Sequence, residues 1–264
     1  MNVQRPRGHL LKYAPNTFRN PKCYLNPLGG CCEKMTNEHL MSRNITNKDP
    51  HKRYDPTGVE IHNPFPLAFT SKVLCKNHNS LLSEFDDAGT NLYKSIALIN
   101  TGEIQARFDI NGNDLERFMM QRLCAHSYAG VLSRNGRKVT RVPDIAIMRR
   151  FFTTASMPAP LGLYLTYPPK HVQRPGMPSE LAPLLHSQHD RPIGCRISFG
   201  PVALLFACEA VDLSTIIYGN YRTEGLRFHR GGKRIAEIRF HWENGAQSPP
   251  LDFDYDPILY GEAS

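Results

Sequence analysis

Five side chains that could bind a transition metal lie in two groups within the first third of the chain. The first group holds Cys23 and the adjacent pair Cys31 and Cys32, and the second holds Cys75 and His78. A structural zinc ion takes four ligands in a tetrahedron, commonly thiolates and imidazoles. Cys23, one cysteine of the pair, Cys75 and His78 would supply a Cys3His set, and the spacing leaves open which of the two adjacent cysteines takes part.

The segments around these ligands indicate how they would meet. Asn26-Pro27-Leu28-Gly29-Gly30 is rich in turn-forming residues and would reverse the chain between Cys23 and the cysteine pair. The second group precedes a predicted helix that starts at about His78, with Leu81, Leu82 and Phe85 on one apolar face. Two ligands from a turn and two from a helix start are typical of a treble-clef zinc finger. Ordinary buried thiols are the alternative, which the polar surroundings disfavour.

A second set of candidate residues consists of Glu38, His39 and Asn79. Hydrolysis of a phosphodiester bond needs a base that activates water and a divalent cation that stabilises the charge on the phosphate. The His39 ring could act as the base. The Glu38 carboxylate and the Asn79 amide oxygen, on the following helix, could bind Mg²⁺ or Mn²⁺.

Two segments carrying these residues resemble the ββα-metal core of HNH endonucleases. They are Thr36-Asn37-Glu38-His39-Leu40 and the stretch from Leu74-Cys75-Lys76-Asn77-His78-Asn79 to Asp86. The resemblance covers residues 23–90, about a third of the chain. It implies that His39 is the general base, that Asn79 takes the place of the last histidine of the motif, and that Glu38 stands where many members have a metal-binding aspartate.

One position departs from the HNH pattern. The middle asparagine of the motif should fall just before Val73, where this chain has Thr70-Ser71-Lys72. This difference favours an alternative function, a catalytically inactive zinc-finger protein that binds nucleic acid or a protein. The retained Glu-His and His-Asn pairs favour a metal-dependent endonuclease.

Composition and charge indicate a folded protein with a polyanionic partner. The chain has 264 residues, of which 41% are hydrophobic, and a net charge of +8. A basic protein of this kind favours a polyanionic partner, because each neutralised phosphate releases counterions. We predict DNA as the partner, ahead of RNA. The basic arm, residues 1–22, and the segment 134–141 are the predicted phosphate contacts.

The sequence disfavours membrane-spanning, secreted and disulfide-stabilised proteins. No apolar run reaches the ~18 residues that a membrane span needs, and the start of the chain lacks the apolar core of a signal peptide. An odd number of cysteines, seven, argues against a disulfide framework. We therefore expect a cytoplasmic protein. The sequence has no P-loop, dinucleotide-binding or nucleophile-elbow motif.

The remainder of the chain predicts an α+β fold, with a β-rich accessory domain over residues 105–264 after the HNH-like module, residues 23–104. Asn113 and Glu116 have the spacing of a helix-capping box, and apolar residues then recur at helical spacing. Segments 193–199 and 202–208 resemble a hairpin with one buried strand, and 235–242 alternates. Cysteines in this half are predicted to be small buried hydrophobic residues: Cys124, Cys195 and Cys208.

Overall fold

The computed structural model of the chain is a mixed α+β structure, which confirms the predicted fold class. The residues that it describes are 10–40, 52–54, 60–62, 70–100, 106–134, 137–139, 141–166, 180–185, 191–199, 202–209 and 219–254. Residues 1–9 of the predicted arm lie outside them, as do the side chains of Arg134, Arg137 and Lys138.

The N-terminal part contains a strand pair followed by a long helix. Strand β1 (Met35–His39) pairs antiparallel with β4 (Thr70–Cys75), and helix α1 (Lys76–Asn100) begins at the residue after β4. Between them in sequence, β2 (Lys52–Tyr54) pairs antiparallel with β3 (Glu60–His62).

Helix α1 differs in two respects from its prediction. It begins two residues before His78, and Leu81 is 46% exposed although it was predicted on the apolar face. Leu82 and Phe85 are buried as predicted. The helix continues through Gly89, where a side chain would lie 2.5 Å from the ring of Phe118. Glycine therefore allows a second helix to approach closely there.

That second helix, α2 (Gly112–Ala129), is buried along its length from Gly112 to Ser127. It follows strand β5 (Ala106–Asn111), and Asn111 is its N-cap, accepting a hydrogen bond of 3.1 Å from the backbone amide of Asp114. The predicted cap, Asn113, is therefore wrong by two residues. Asn113 instead accepts a hydrogen bond from the amide of Glu243, and Glu116 binds Arg222.

Two larger sheets form the rest of the described structure. A four-stranded sheet has the order β15-β13-β14-β5, with β13 (Gly225–Arg230), β14 (Lys233–His241) and β15 (Leu251–Asp254). A five-stranded antiparallel sheet has the order β12-β8-β11-β10-β9. Its strands are β8 (Gly162–Thr166), β9 (Glu180–Leu185), β10 (Pro192–Phe199), β11 (Val202–Ala207) and β12 (Gly219–Tyr221).

The predicted hairpin is confirmed, since β10 and β11 pair antiparallel and every residue of β11 is buried. Two shorter strands, β6 (Ser133–Arg134) and β7 (Arg137–Lys138), also pair, and helix α3 spans Ile145–Thr153. Within the described ranges, no helix is both long and apolar enough to cross a membrane.

Most buried hydrophobic residues from Leu11 to Phe253 belong to one continuous cluster, with α2 at its centre. A second, small cluster on the five-stranded sheet contains Tyr164, Leu205 and Ala207. Helix α2 contacts α1, α3 and β4, together with strands of both larger sheets. Cys124, Cys195 and Cys208 are buried within the larger cluster, as predicted. One helix therefore packs against the N-terminal strand pair and against the β-rich half.

Candidate metal centre

The turn after Cys23 reverses the chain, as the sequence predicted. Residues Asn26–Leu28 form a 3₁₀ turn, and Gly29 follows with φ of +76°. A Cβ at Gly29 would overlap the carbonyl oxygen of Ala14, so both the backbone conformation and the close approach require glycine. The amide of Tyr24 donates a hydrogen bond of 3.0 Å to the carbonyl of Val73, which fixes the turn beside the end of β4.

This arrangement brings Cys23, Cys31, Cys75 and His78 together. Their ligand atoms all lie within 4.8 Å of one another, and all four residues are buried. From Nδ1 of His78, the sulfur atoms of Cys23, Cys75 and Cys31 lie at 3.3, 3.4 and 3.6 Å. Two ligands come from the turn-rich segment, one from the end of β4 and one from the first turn of α1.

Hydrogen bonding alone does not account for these distances. An imidazole nitrogen has either one proton or one lone pair, so it cannot bind three sulfur atoms at once. A tetrahedral zinc ion, with Zn–S of about 2.3 Å and Zn–N of about 2.0 Å, would separate nitrogen from each sulfur by about 3.5 Å. The Cys3His group therefore has the ligand types and the spacing to bind a metal such as zinc.

The protonation of these groups depends on their burial. Burial raises the pKa of Cys23 and Cys31. It acts in the same direction on Cys75, but backbone hydrogen bonds at His78 and Cys32, together with those from neighbouring thiols, lower the pKa of Cys75 overall. Burial lowers the pKa of His78, which favours the neutral ring. A bound cation would offset the cost of buried thiolates, since metal ligands must be deprotonated.

Cys32 lies outside the Cys3His group. Its side chain is half-buried, and its sulfur lies 3.6 Å from the carbonyl oxygen of Lys34. Of the two adjacent cysteines, Cys31 faces the other ligands and Cys32 does not. The choice that the sequence left open therefore falls on Cys31, and the prediction that also included Cys32 is corrected.

Glu38 lies on β1 and is almost completely buried. Its Oε1 accepts hydrogen bonds from Arg122 Nη2 at 2.7 Å and from Gln121 Nε2 at 3.1 Å. The same Arg122 donates to the backbone carbonyl of His39 and lies 3.1 Å from Oδ1 of Asp86 on α1. One guanidinium from α2 therefore binds both β1 and α1.

The Arg122 side chain is fully buried, and it faces two carboxylates. Burial raises the pKa of Asp86 to about 6, with Arg122 acting against this rise and Glu38 acting with it. Sequence reasoning missed Arg122, although a signal was present. It lies beside Gln121 inside the apolar run from Phe118 to Ala125, where a charged residue needs a buried partner.

The other two candidate residues lie at different places on the strand pair and helix. His39 is the last residue of β1, opposite Thr70, and is half-buried. Asn79 is half-buried in the first turn of α1, beside the ligand His78. Asp86 is seven residues further along α1, which corresponds to about 10 Å along the axis.

Over the described ranges, the Cys3His group is the only set of three or more metal-ligating side chains that come together. The Glu38 carboxylate was predicted to bind a catalytic cation, and one of its oxygens, Oε1, accepts hydrogen bonds from Arg122 and Gln121. A Mg²⁺ or Mn²⁺ site thus stays a prediction. No protein-family model, curated protein or solved structure matches the chain.

Proposed function

We propose that the chain is an HNH-like endonuclease that hydrolyses phosphodiester bonds in DNA, with His39 as its general base. The observation that carries the proposal is the strand–strand–helix unit formed by β1, β4 and α1, whose two halves meet in the Cys3His group. A treble-clef finger built in this way would hold His39 at one end of the strand pair.

In the proposed reaction, the His39 imidazole takes a proton from water as the water oxygen attacks the phosphorus atom. The P–O bond to the leaving oxygen breaks, that oxygen takes a proton from solvent water, and His39 returns its proton to solvent. Arg122 binds the carbonyl of His39 and the carboxylate of Glu38, so it would hold the backbone that carries the base. Glu38 would then position His39 through the strand.

Zinc would have a structural role, bound by Cys23, Cys31, Cys75 and His78. We also propose that cleavage depends on added Mg²⁺ or Mn²⁺, as the resemblance to HNH enzymes implies. Glu38 and Asn79 are the two residues predicted to bind this cation. Arg122 binds the Glu38 carboxylate, so the amide oxygen of Asn79 is the cation ligand that Arg122 does not contact. The basic net charge of +8 supports DNA as the substrate.

Another candidate function is a zinc-stabilised protein that binds nucleic acid or a protein partner without cleaving it. The observation that favours it is the ion pair between Glu38 and Arg122, since a carboxylate held by a guanidinium is a poor cation ligand. The replacement of the middle asparagine by Thr70-Ser71-Lys72 points in the same direction.

A plasmid-nicking assay separates the two functions. Supercoiled plasmid is incubated with the protein and Mg²⁺ or Mn²⁺, and His39→Ala is compared with His241→Ala, a matched change at an exposed histidine of β14. The endonuclease proposal expects nicking that is lost in His39→Ala and retained in His241→Ala. DNA binding without nicking under either metal would establish the binding protein instead.

The metal centre has its own test. Metal analysis of the purified protein should find about one zinc ion per chain. A folded protein without zinc, or one whose zinc content is unaffected by Cys31→Ser, would refute the assignment of the Cys3His group.

A further inference from the structure

Two aromatic side chains of the N-terminal arm are exposed to solvent. Tyr13 is 49% exposed and Phe18 is 53% exposed. Aromatic rings have large apolar faces that are well suited to stacking. Neither ring belongs to the Cys3His group or to the Arg122 contacts, so the proposed chemistry leaves them without a role.

The arm that carries these rings is held against the rest of the protein. The amide of Leu11 donates to the carbonyl of Phe152 at 2.8 Å, and the amide of Ala14 donates to the carbonyl of Leu28 at 2.7 Å. The carbonyl of Phe18 accepts a hydrogen bond of 3.1 Å from the amide of Cys31, a ligand of the metal centre. A ligand that stacks on Tyr13 or Phe18 would therefore meet an ordered backbone, which lowers the entropic cost of binding.

The segments that carry or adjoin the rings are rich in cationic side chains. Residues 10–22 and 141–153, which lie side by side through the hydrogen bond of Leu11 to Phe152, contain six cationic side chains and one carboxylate. The carboxylate, Asp144, accepts hydrogen bonds from the amides at the start of α3. The six cations are all exposed: Lys12, Arg19, Lys22, Arg141, Arg149 and Arg150.

One contact joins the two kinds of residue directly. The guanidinium of Arg149 lies over the ring of Tyr13, 5.0 Å from its centroid. A cation beside an aromatic ring provides both a phosphate contact and a stacking face.

From these observations we infer that residues 10–22 and 141–153 form a binding surface for single-stranded nucleic acid, with Tyr13 and Phe18 stacking on bases and the six cations contacting phosphates. An acidic protein could pair with the cations, but it has no bases that could stack on the two rings. A duplex would likewise keep its bases stacked inside. The choice of DNA over RNA rests on the proposed function; the binding surface itself does not.

The test measures binding in the His39→Ala background, so that cleavage cannot interfere. Fluorescence anisotropy follows a labelled 20-nucleotide oligo(dT) and a duplex of equal length over a series of salt concentrations. The double variant Tyr13→Leu/Phe18→Leu keeps apolar side chains but removes the rings. We expect it to weaken binding to the single strand about thirtyfold, the lower end of the effect for two stacked bases, with an unchanged salt slope.

A charge variant and a matched control complete the design. The slope of log K against log salt is negative, and in Arg141→Ala/Arg150→Ala its magnitude should decrease by about 0.7 for each lost phosphate contact. Arg107→Ala/Arg234→Ala removes two cations whose side chains are similarly exposed, 51% and 53%, on the four-stranded sheet. This control should leave the slope unchanged. Zinc content and thermal melting verify that each variant is folded.

Three results would overturn the inference: affinity that is unchanged without the two rings, an equal loss in the sheet control, or tighter binding to the duplex. Failure here is distinct from failure of the nuclease. If the wild type nicks plasmid but the ring variant binds the single strand as tightly as its parent, only the proposed binding surface is rejected. If binding depends on the rings but no nicking occurs, only the proposed endonuclease activity is rejected.

Discussion

Two of the buried ion-pair sites on helix α2 join it to other elements, and they differ in their balance of charge. Towards its N-terminus, Glu116 accepts hydrogen bonds from Arg222 at 2.8 and 3.0 Å and from the amide of Leu163 at 2.9 Å. One guanidinium therefore meets one carboxylate in a bidentate pair. This pair joins the helix to the β-rich half.

Six positions further along α2, the second site is unbalanced. Arg122 faces the two carboxylates of Glu38 and Asp86, and the pKa of Asp86 is raised by burial to about 6. This site joins α2 to strand β1, which pairs with the strand that carries Cys75, and to helix α1, which carries His78. Burial raises the pKa of Glu116 as well, so the two sites differ in how many carboxylates share one guanidinium.

The unbalanced site links the predicted HNH-like module, residues 23–104, to a residue outside it, because the carbonyl of His39 is bound by Arg122, 83 positions later in sequence. Substitutions at the two sites show how far the two ends of α2 depend on each other.

The largest effect is expected from Cys31→Ser, which removes one ligand from the metal centre. Since structural zinc in finger peptides contributes about 10 kcal/mol or more to folding, we expect loss of zinc and unfolding around β1 and β4. Cys32→Ser is the matched control and should keep one zinc ion per chain. Metal analysis and amide hydrogen exchange measure both outcomes.

The same variant reports on the other end of α2. Trp242 is the only tryptophan in the chain, and it donates a hydrogen bond of 2.8 Å to the carbonyl of Thr223 beside Arg222. Trp242 fluorescence should stay native-like in Cys31→Ser. A simultaneous loss of that signal would mean that the two ends form one cooperative unit.

The second prediction concerns the balanced pair. Arg222→Met leaves the Glu116 carboxylate buried without its partner and should lower the free energy of unfolding by about 3–5 kcal/mol, whereas Glu116→Leu/Arg222→Met should be much less destabilising. Urea unfolding measures both variants. Equal losses in the single and double variants would show that the pair acts through packing and not through charge.

A third, smaller effect is expected from Arg122→Lys. Lysine keeps the positive charge but cannot bind Glu38, Asp86 and the carbonyl of His39 together, so we expect a loss of about 2 kcal/mol in unfolding free energy. Under the proposed function, nicking should fall while DNA affinity is retained. Arg222→Lys is the control, and it should reduce stability without selectively reducing nicking.

The smallest effect concerns the pH dependence of the unbalanced site. The folded-state pKa of Asp86 is raised to about 6, so the folded protein binds more protons than the unfolded chain between about pH 4 and pH 6. This carboxylate therefore reduces stability as pH rises through that window. Asp86→Asn should be more stable than the wild type at pH 8, by about 1 kcal/mol, because its 29% exposure weakens the charge effect.

Urea unfolding at pH 4 and pH 8 measures this difference, which should be larger at the higher pH. A variant that is less stable than the wild type at pH 8 would show that the Asp86 carboxylate contributes more through its contact with Arg122 than its burial costs.

The parts that could be predicted from sequence are those fixed by local spacing. The turn after Cys23, the placement of Cys75 before a helix and the hairpin of β10 and β11 each depend on residues close together in the chain. Local turn chemistry and periodicity carry that information.

The parts that could not be predicted depend on distant partners. The choice of Cys31 over Cys32 requires the direction in which each side chain points, and Arg122 finds Glu38 84 positions away. The N-cap moved to Asn111 because Asn113 and Glu116 bind residues more than one hundred positions later. Such pairings are set by tertiary packing, which overrides local propensity.

The absence of a side chain at Gly89 also affects the contact between Asp86 and Arg122. A methyl group there would press on the ring of Phe118 at 2.5 Å and would widen the gap between the helices. Asp86 lies about one turn earlier on α1 and Arg122 about one turn later on α2, so their contact would lengthen. Gly89 thus sets the separation between α1 and α2 at which the Arg122 guanidinium can contact both α1 and strand β1.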